Sequence, residues 1–212
     1  MSTPSPWAAE PGQAPQRLAG PELLGRAVDY TRGSLLLVAG TALDARTPCD
    51  RWDLNALLRH MVDSLAAFTE AAEIGYVDLV PVRSGPGADP GVRPVPEPAD
   101  ELVEALKHRA CALLAAWTHH PGPGQVAVAD RELPSDLVAA AGALKIAVHG
   151  WDVARACGAD RPLPGGLALE LLGVLPLLVD AADRPARFAE PVDVPLHARP
   201  STRLLAALGR RS

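Results

Sequence analysis

Trp52-Asp53-Leu54-Asn55-Ala56-Leu57-Leu58-Arg59-His60-Met61-Val62-Asp63-Ser64-Leu65 sets the fold class. Leu54, Leu57, Leu58, Met61 and Leu65, continued by Phe68 and Ala72, recur every three or four residues to about Ile74. That spacing is the apolar stripe of one long amphipathic helix, and His60 lies in its middle. The same periodicity appears on either side. Leu23, Leu24, Ala27, Val28 and Leu35 to Val38 predict a helix from Pro21 to about Leu43, with Gly33 as its weak point. Beyond a proline- and glycine-rich connection over residues 84 to 99, Asp100 is the expected N-cap of a helix reaching Thr118, short of Pro121. Gln125 to Ala129 alternates as an extended crossover would. Another helix is expected from Ser135-Asp136 to Gly158 as the C′ residue, a fifth over Gly166 to Ala182, and a short one over Thr202 to Leu208. Residues 1 to 18, rich in proline, alanine, serine and glycine, read as a disordered leader. The remainder, 19 to 212, reads as a single all-α domain: a four-helix bundle with a long crossover connection and a short C-terminal extension.

Composition narrows the function. A chain of 212 residues with 48% hydrophobic residues can bury a large core. The net charge of -5 is spread in both signs without a basic run, which speaks against nucleic-acid and anionic-membrane partners and for a small-molecule or protein one. Cys49, Cys111 and Cys157 are too few and too scattered for a disulfide framework, and the start lacks a signal peptide's basic and apolar regions. The apolar run from Leu171 to Val179 is about half the ~20 residues that span a bilayer. A soluble, cytoplasmic protein is the expectation; its oligomeric state stays open.

The candidate site comes from a second stretch, Ala143-Leu144-Lys145-Ile146-Ala147-Val148-His149-Gly150-Trp151-Asp152. Lys145 and His149 are four apart and share a helix face. His149 and His60 lie in or beside apolar stripes of different helices, so packing those stripes together brings two imidazoles to one pocket. The commoner role of a lone helical histidine is a surface or hydrogen-bonded core residue. His108 and the pair His119-His120 are read that way, and Cys157 as a small packed residue.

Thr47 to His60 resembles the hallmark of the DinB-like superfamily, closest to the mycothiol-dependent maleylpyruvate isomerase N-terminal domain family of actinobacteria. Ala147 to Gly158 resembles that family's second motif. Phe188 to Val194, with Arg203 to Arg210, resembles the end of its single-domain members. The resemblance implies a DinB-like bundle holding a divalent, zinc-like metal between histidines matching His60 and His149 and a glutamate at the position of Lys145, in isomerases and S-transferases that use a thiol such as mycothiol. Here an ammonium, which cannot ligate a cation, replaces the carboxylate. Two like charges about 4 Å apart repel by about 4 kcal/mol at an effective dielectric of 20, so weakened metal affinity is expected.

Three readings of Lys145 follow. It snorkels to water and the site is dead or repurposed; or its ammonium takes the metal's place and holds an anionic or enolizable substrate beside His60 and His149; or a metal persists on His60 and His149 with Asp152 or Asp63 as third ligand. Trp52 and Trp151 pack in the core or wall the pocket, and with Asp63 and Asp152 form the candidate substrate-binding set. Asp152 is expected to pair with Arg155 or to orient a neighbouring helix. The functional expectation is a small-molecule enzyme with catalytic residues His60, Lys145 and His149, diverged toward isomerase or cyclase-type tailoring chemistry of secondary metabolism. The competing expectation is a non-catalytic small-molecule or partner-binding protein on a degenerate metal site.

Overall fold

The computed structural model describes residues 20–49, 52–77, 98–119, 124–128, 131–184, 188–195 and 197–211. Four long helices form the bundle: α1 (Gly20–Leu35), α2 (Leu54–Ile74), α3 (Ala99–His119) and α4 (Ser135–Ala156). Two shorter ones follow, α5 (Gly165–Leu178) and α6 (Pro200–Ala207). This is the DinB-like helical architecture that the periodicity and motifs pointed to. The expected leader and most of the 84 to 99 connection lie outside the described residues.

The most intimate pair is α1 against α4, because α4 offers small residues where the two backbones approach. Ala139, Ala140, Gly142, Ala143, Ala147 and Gly150 are buried along it. A Cβ at Gly150 would collide with Thr31 Oγ1 and sit 3.1 Å from the Thr31 Cα. Thr31 spends its hydroxyl proton across the seam, donating to the Ile146 carbonyl at 2.9 Å. By length and apolarity α4 could cross a membrane, yet 83% of its most apolar window is buried inside the protein. It is the central rod of the bundle.

Two helix ends fall short of the periodic pattern, and Asp100 lies in the first turn of α3 rather than capping it. α1 stops at Leu35, not Leu43: the chain tightens through short-range bonds from Leu37 N to Ser34 O and Val38 N to Leu35 O, then turns at Gly40 with φ +83°. α5 ends at Leu178, because Val179 is extended and Asp180 starts a separate 3₁₀ turn, closed by a capping box with Asp183. The crossover is strand, as its alternation suggested, but belongs to a small three-stranded sheet. There β1 (Tyr76–Val77) runs parallel to β2 (Gln125–Val128), which pairs antiparallel with β3 (Arg131–Pro134). The sheet lies beside the ends of α2 and α4 and leaves the middle of the bundle clear.

Candidate functional site

The loop before α2 builds one wall. Thr47 Oγ1 donates to the Trp52 carbonyl at 2.7 Å and accepts from Cys49 N at 3.1 Å, while Trp52 N bonds Cys49 O at 2.9 Å. Asp53 then caps α2 by accepting from Ala56 N at 2.8 Å. The tight turn holds the Trp52 indole over the helix it precedes. Its ring lies 4.2 Å from the His60 ring and 5.9 Å from that of His149, and the two imidazoles meet edge to face at 5.3 Å and 88°. Two histidines 89 positions apart thus meet ring to ring, and of the two His149 is the one that also lines the cleft described below.

His149 is held from behind. Its Nδ1 is 3.1 Å from Asp152 Oδ2, and the fully buried Asp152 carboxylate is gripped by Arg210, through Nε at 3.0 Å to Oδ1 and a terminal nitrogen at 2.8 Å to Oδ2. Asp152 therefore pairs with Arg210 rather than with Arg155, whose guanidinium lies over the Trp151 ring instead. Arg210 reaches inward because Gly209, at φ +78° and against Ala189 and Glu190, turns the chain after α6 where no side chain fits. Despite its burial, the Asp152 carboxyl titrates below its usual range, because the attraction of Arg210 and hydrogen bonds from His149 and Arg210 outweigh desolvation. An ionised carboxylate can only accept, so the His149 proton sits on Nδ1 and the ring's lone pair on Nε2. Burial chiefly, with Arg210 and Lys145 adding repulsion, lowers the His149 pKa against the pull of Asp152. The ring is neutral at pH 7.

Lys145, one turn before His149, lines with it a narrow cleft between α1, α2, α3 and α4; its empty space, counted to the open mouth, is about 410 Å³. Val28, Leu35, Met61, Leu65, Leu106 and Ala110 form the apolar walls. Of the other expected site residues, Trp151 is buried in the core, Asp63 is exposed to solvent, and Asp152 stands behind His149 rather than in the cleft. Arg210, Thr31 and Lys107 were not singled out by spacing. The scarcity of lysine, two residues against 18 arginines, was the one signal that could have joined Lys107 to Lys145.

The donor set can be tested against a three-ligand metal. His60 and His149 supply two nitrogens, Lys145 stands where a third ligand would be needed, Asp152 is taken by Arg210, and Asp63 faces outward. Among the described residues no three His, Cys, Asp or Glu side chains gather as a ligand set. The residues do not fit such a metal.

A family model described as the mycothiol maleylpyruvate isomerase N-terminal domain matches residues 24–154, which include Trp52, His60, Lys145, His149 and Asp152. Two uncharacterized Mycobacterium tuberculosis proteins, from strains CDC 1551 and H37Rv, are each 29% identical to this chain over 191 residues, covering 87% of it and 94% of their own length. No solved structure matches. With more than half its length matched, the chain belongs to the mycothiol maleylpyruvate isomerase N-terminal domain family.

Proposed function

We propose that this protein is an enzyme of isomerase-type chemistry that moves a proton on a small carbonyl compound without a metal. The reading rests on one observation: a neutral imidazole, its tautomer fixed by an ionised carboxylate, stands beside a second imidazole at 5.3 Å and shares a cleft with an ammonium. His149 Nε2 takes a proton from the carbon next to the substrate carbonyl. The C–H electron pair becomes the enolate double bond, and the carbonyl pair moves to oxygen. Lys145 holds that oxyanion, the electrostatic work a cation would otherwise do. His60 gives a proton to the adjacent carbon or to oxygen, giving the isomer or enol, and exchange with solvent then returns a proton to His60 and removes the one on His149. Trp52 covers both rings and limits water at the reacting carbon. Tailoring isomerisation or cyclisation in secondary metabolism is the setting that this chemistry suits.

The test is solvent exchange. A panel of small enolizable 2-oxo acids incubated with the protein in D2O, followed by proton NMR, should show loss of the α-proton signal. Exchange should fall about 10²- to 10⁴-fold in His149→Gln, the usual range for removal of an acid or base, and comparably in Lys145→Met. Exchange that survives both substitutions defeats the mechanism. Absence of exchange with every compound, alongside ligand binding in the cleft, favours the binding-protein reading.

A further inference from the structure

A second groove lies between the outer sides of α2 and α3, lined in part by Ala66 and Thr69 of the one and Ala105 and Ala112 of the other. These short side chains leave it open. The opposite sides of the same two helices, at Met61, Leu65 and Leu106, wall the cleft. Exposed charges also line the groove: Glu70 and Glu73 on α2, His108 and Arg109 on α3. Among the described residues no ion pair joins these two acids to these two bases, and Glu104, on the α3 side, is taken by Lys107 at 2.7 Å.

The signs are segregated by helix. From Met61 to Ile74, α2 has Asp63, Glu70 and Glu73 and no base; from Ala105 to Thr118, α3 has Lys107, His108 and Arg109 and no acid. A face split lengthwise into an acidic and a basic half selects its partner by sign, because like charges brought together across an interface cost more than unlike ones gain. A uniformly basic surface would be repelled along α3, and a uniformly acidic one along α2. The same face, turned about a two-fold axis running along the groove, satisfies both halves, since each α2 then lies over the other copy's α3. Turning it about the perpendicular axis would lay acid on acid, so charge selects one of the two isologous arrangements. The size is compatible as well. Each helix has 21 residues. At ~1.5 Å rise per residue and about 10 Å width per helix, the pair presents roughly 600 Å² before relief is counted, against about 800 Å² per partner in a standard interface.

We propose that the outer face of α2 and α3 is the interface of a homodimer, in which Glu70 and Glu73 of each copy face His108 and Arg109 of the other. The groove lining has no aromatic anchor. The dimer is therefore reversible, with a dissociation constant on the order of micromolar, and it braces from behind the two helices that wall the cleft.

The experiment is sedimentation equilibrium of the full-length protein over a dilution series. The wild-type chain should pass from monomer to dimer. Raising the ionic strength from about 0.1 M to about 1 M, which shortens the screening length from ~10 Å to ~3 Å, should weaken the dimer at least tenfold. Two double variants, Glu70→Lys with Glu73→Lys and His108→Glu with Arg109→Glu, should each self-associate at least tenfold more weakly, because each then presents one sign along both helices. Mixed in equal amounts, they should form a heterodimer about as tight as the wild-type dimer, since every acidic row again meets a basic one. All four positions are exposed, and the melting temperatures of the separate variants should stay near that of the wild-type monomer. A wild-type chain that remains monomeric at every concentration overturns the proposal, as does a dimer indifferent to salt or to either double variant, or a mixture in which the two variants ignore each other. A dimer lost only when the exposed Leu169 and Leu177 of α5 are replaced by Glu also overturns it, and moves the interface to that helix.

Discussion

Asp152 shows how one residue's role depends on a partner far along the chain. Its carboxylate has no exposure to solvent, and a buried charge survives only when paired and hydrogen-bonded. Arg210 does both, which leaves one lobe of the carboxylate to take the His149 proton. Replacing Arg210 with Met keeps most of the packing but strands the charge, so urea denaturation should show a loss of about 3–5 kcal/mol. Adding Asp152→Asn should recover part of that loss, because a neutral amide is cheaper to leave unpaired. A double variant no more stable than Arg210→Met alone would mean that the contribution of Arg210 is packing rather than charge. The spacing around His149 suggested Arg155 as the partner, three residues on. Nothing local distinguishes two arginines, and Arg155 is drawn to the Trp151 face instead.

Among elements, the seam between α1 and α4 decides where Lys145 and His149 stand, since both ride on α4. Two glycines in these helices should respond oppositely to alanine. At Gly150 a Cβ meets Thr31 on both its hydroxyl and its backbone, and neither can yield without parting the helices. Gly150→Ala should destabilise by about 1–3 kcal/mol, the usual range for overpacking. At Gly25 of α1 nothing lies within 4 Å of the added methyl, and Gly25→Ala should stabilise by up to about 1 kcal/mol through helix propensity and a less flexible unfolded chain. Thermal melts of the two variants check both signs. The helices themselves were legible because their apolar residues follow a 3.6-residue period. Their ends were less so: the short-range turn after Leu35 and the extended Val179 end α1 and α5, while apolar residues continue past the end of α1 and up to Val179. The sheet escaped notice except at β2, because two- and four-residue strands are too short to carry a period.

At the scale of the whole molecule, titration sets a stability window. His149 has a folded pKa below 6.5, so under about pH 6.5 the unfolded chain binds a proton that the folded one refuses, and stability falls as pH drops. Asp152 is depressed below 3.8, so its contribution is present above that pH and is lost as pH falls through its folded value. The acid side therefore weakens in two steps of the same sign. On the alkaline side the Tyr30 hydroxyl, pushed up to about 12 chiefly by burial, donates to the Arg161 carbonyl at 2.6 Å. Its contribution is complete below pH 10 and is lost as pH rises toward 12. The melting temperature should thus be flat between about pH 7 and 10 and fall on both sides, with Tyr30→Phe flattening the alkaline limb. An unchanged melting temperature at pH 5 would contradict the burial of a neutral His149. The sequence by itself determined the long helices, the histidine on each of two apolar stripes and the lysine one turn from the second, because periodicity and offsets along a helix are local properties of a chain. Tertiary structure alone decided that Trp52 reaches the His149 ring as well as that of His60, that Arg210 fixes the His149 proton, and that the two lysines line one cleft, because these contacts join residues 38 to 97 positions apart and depend on how the helices cross.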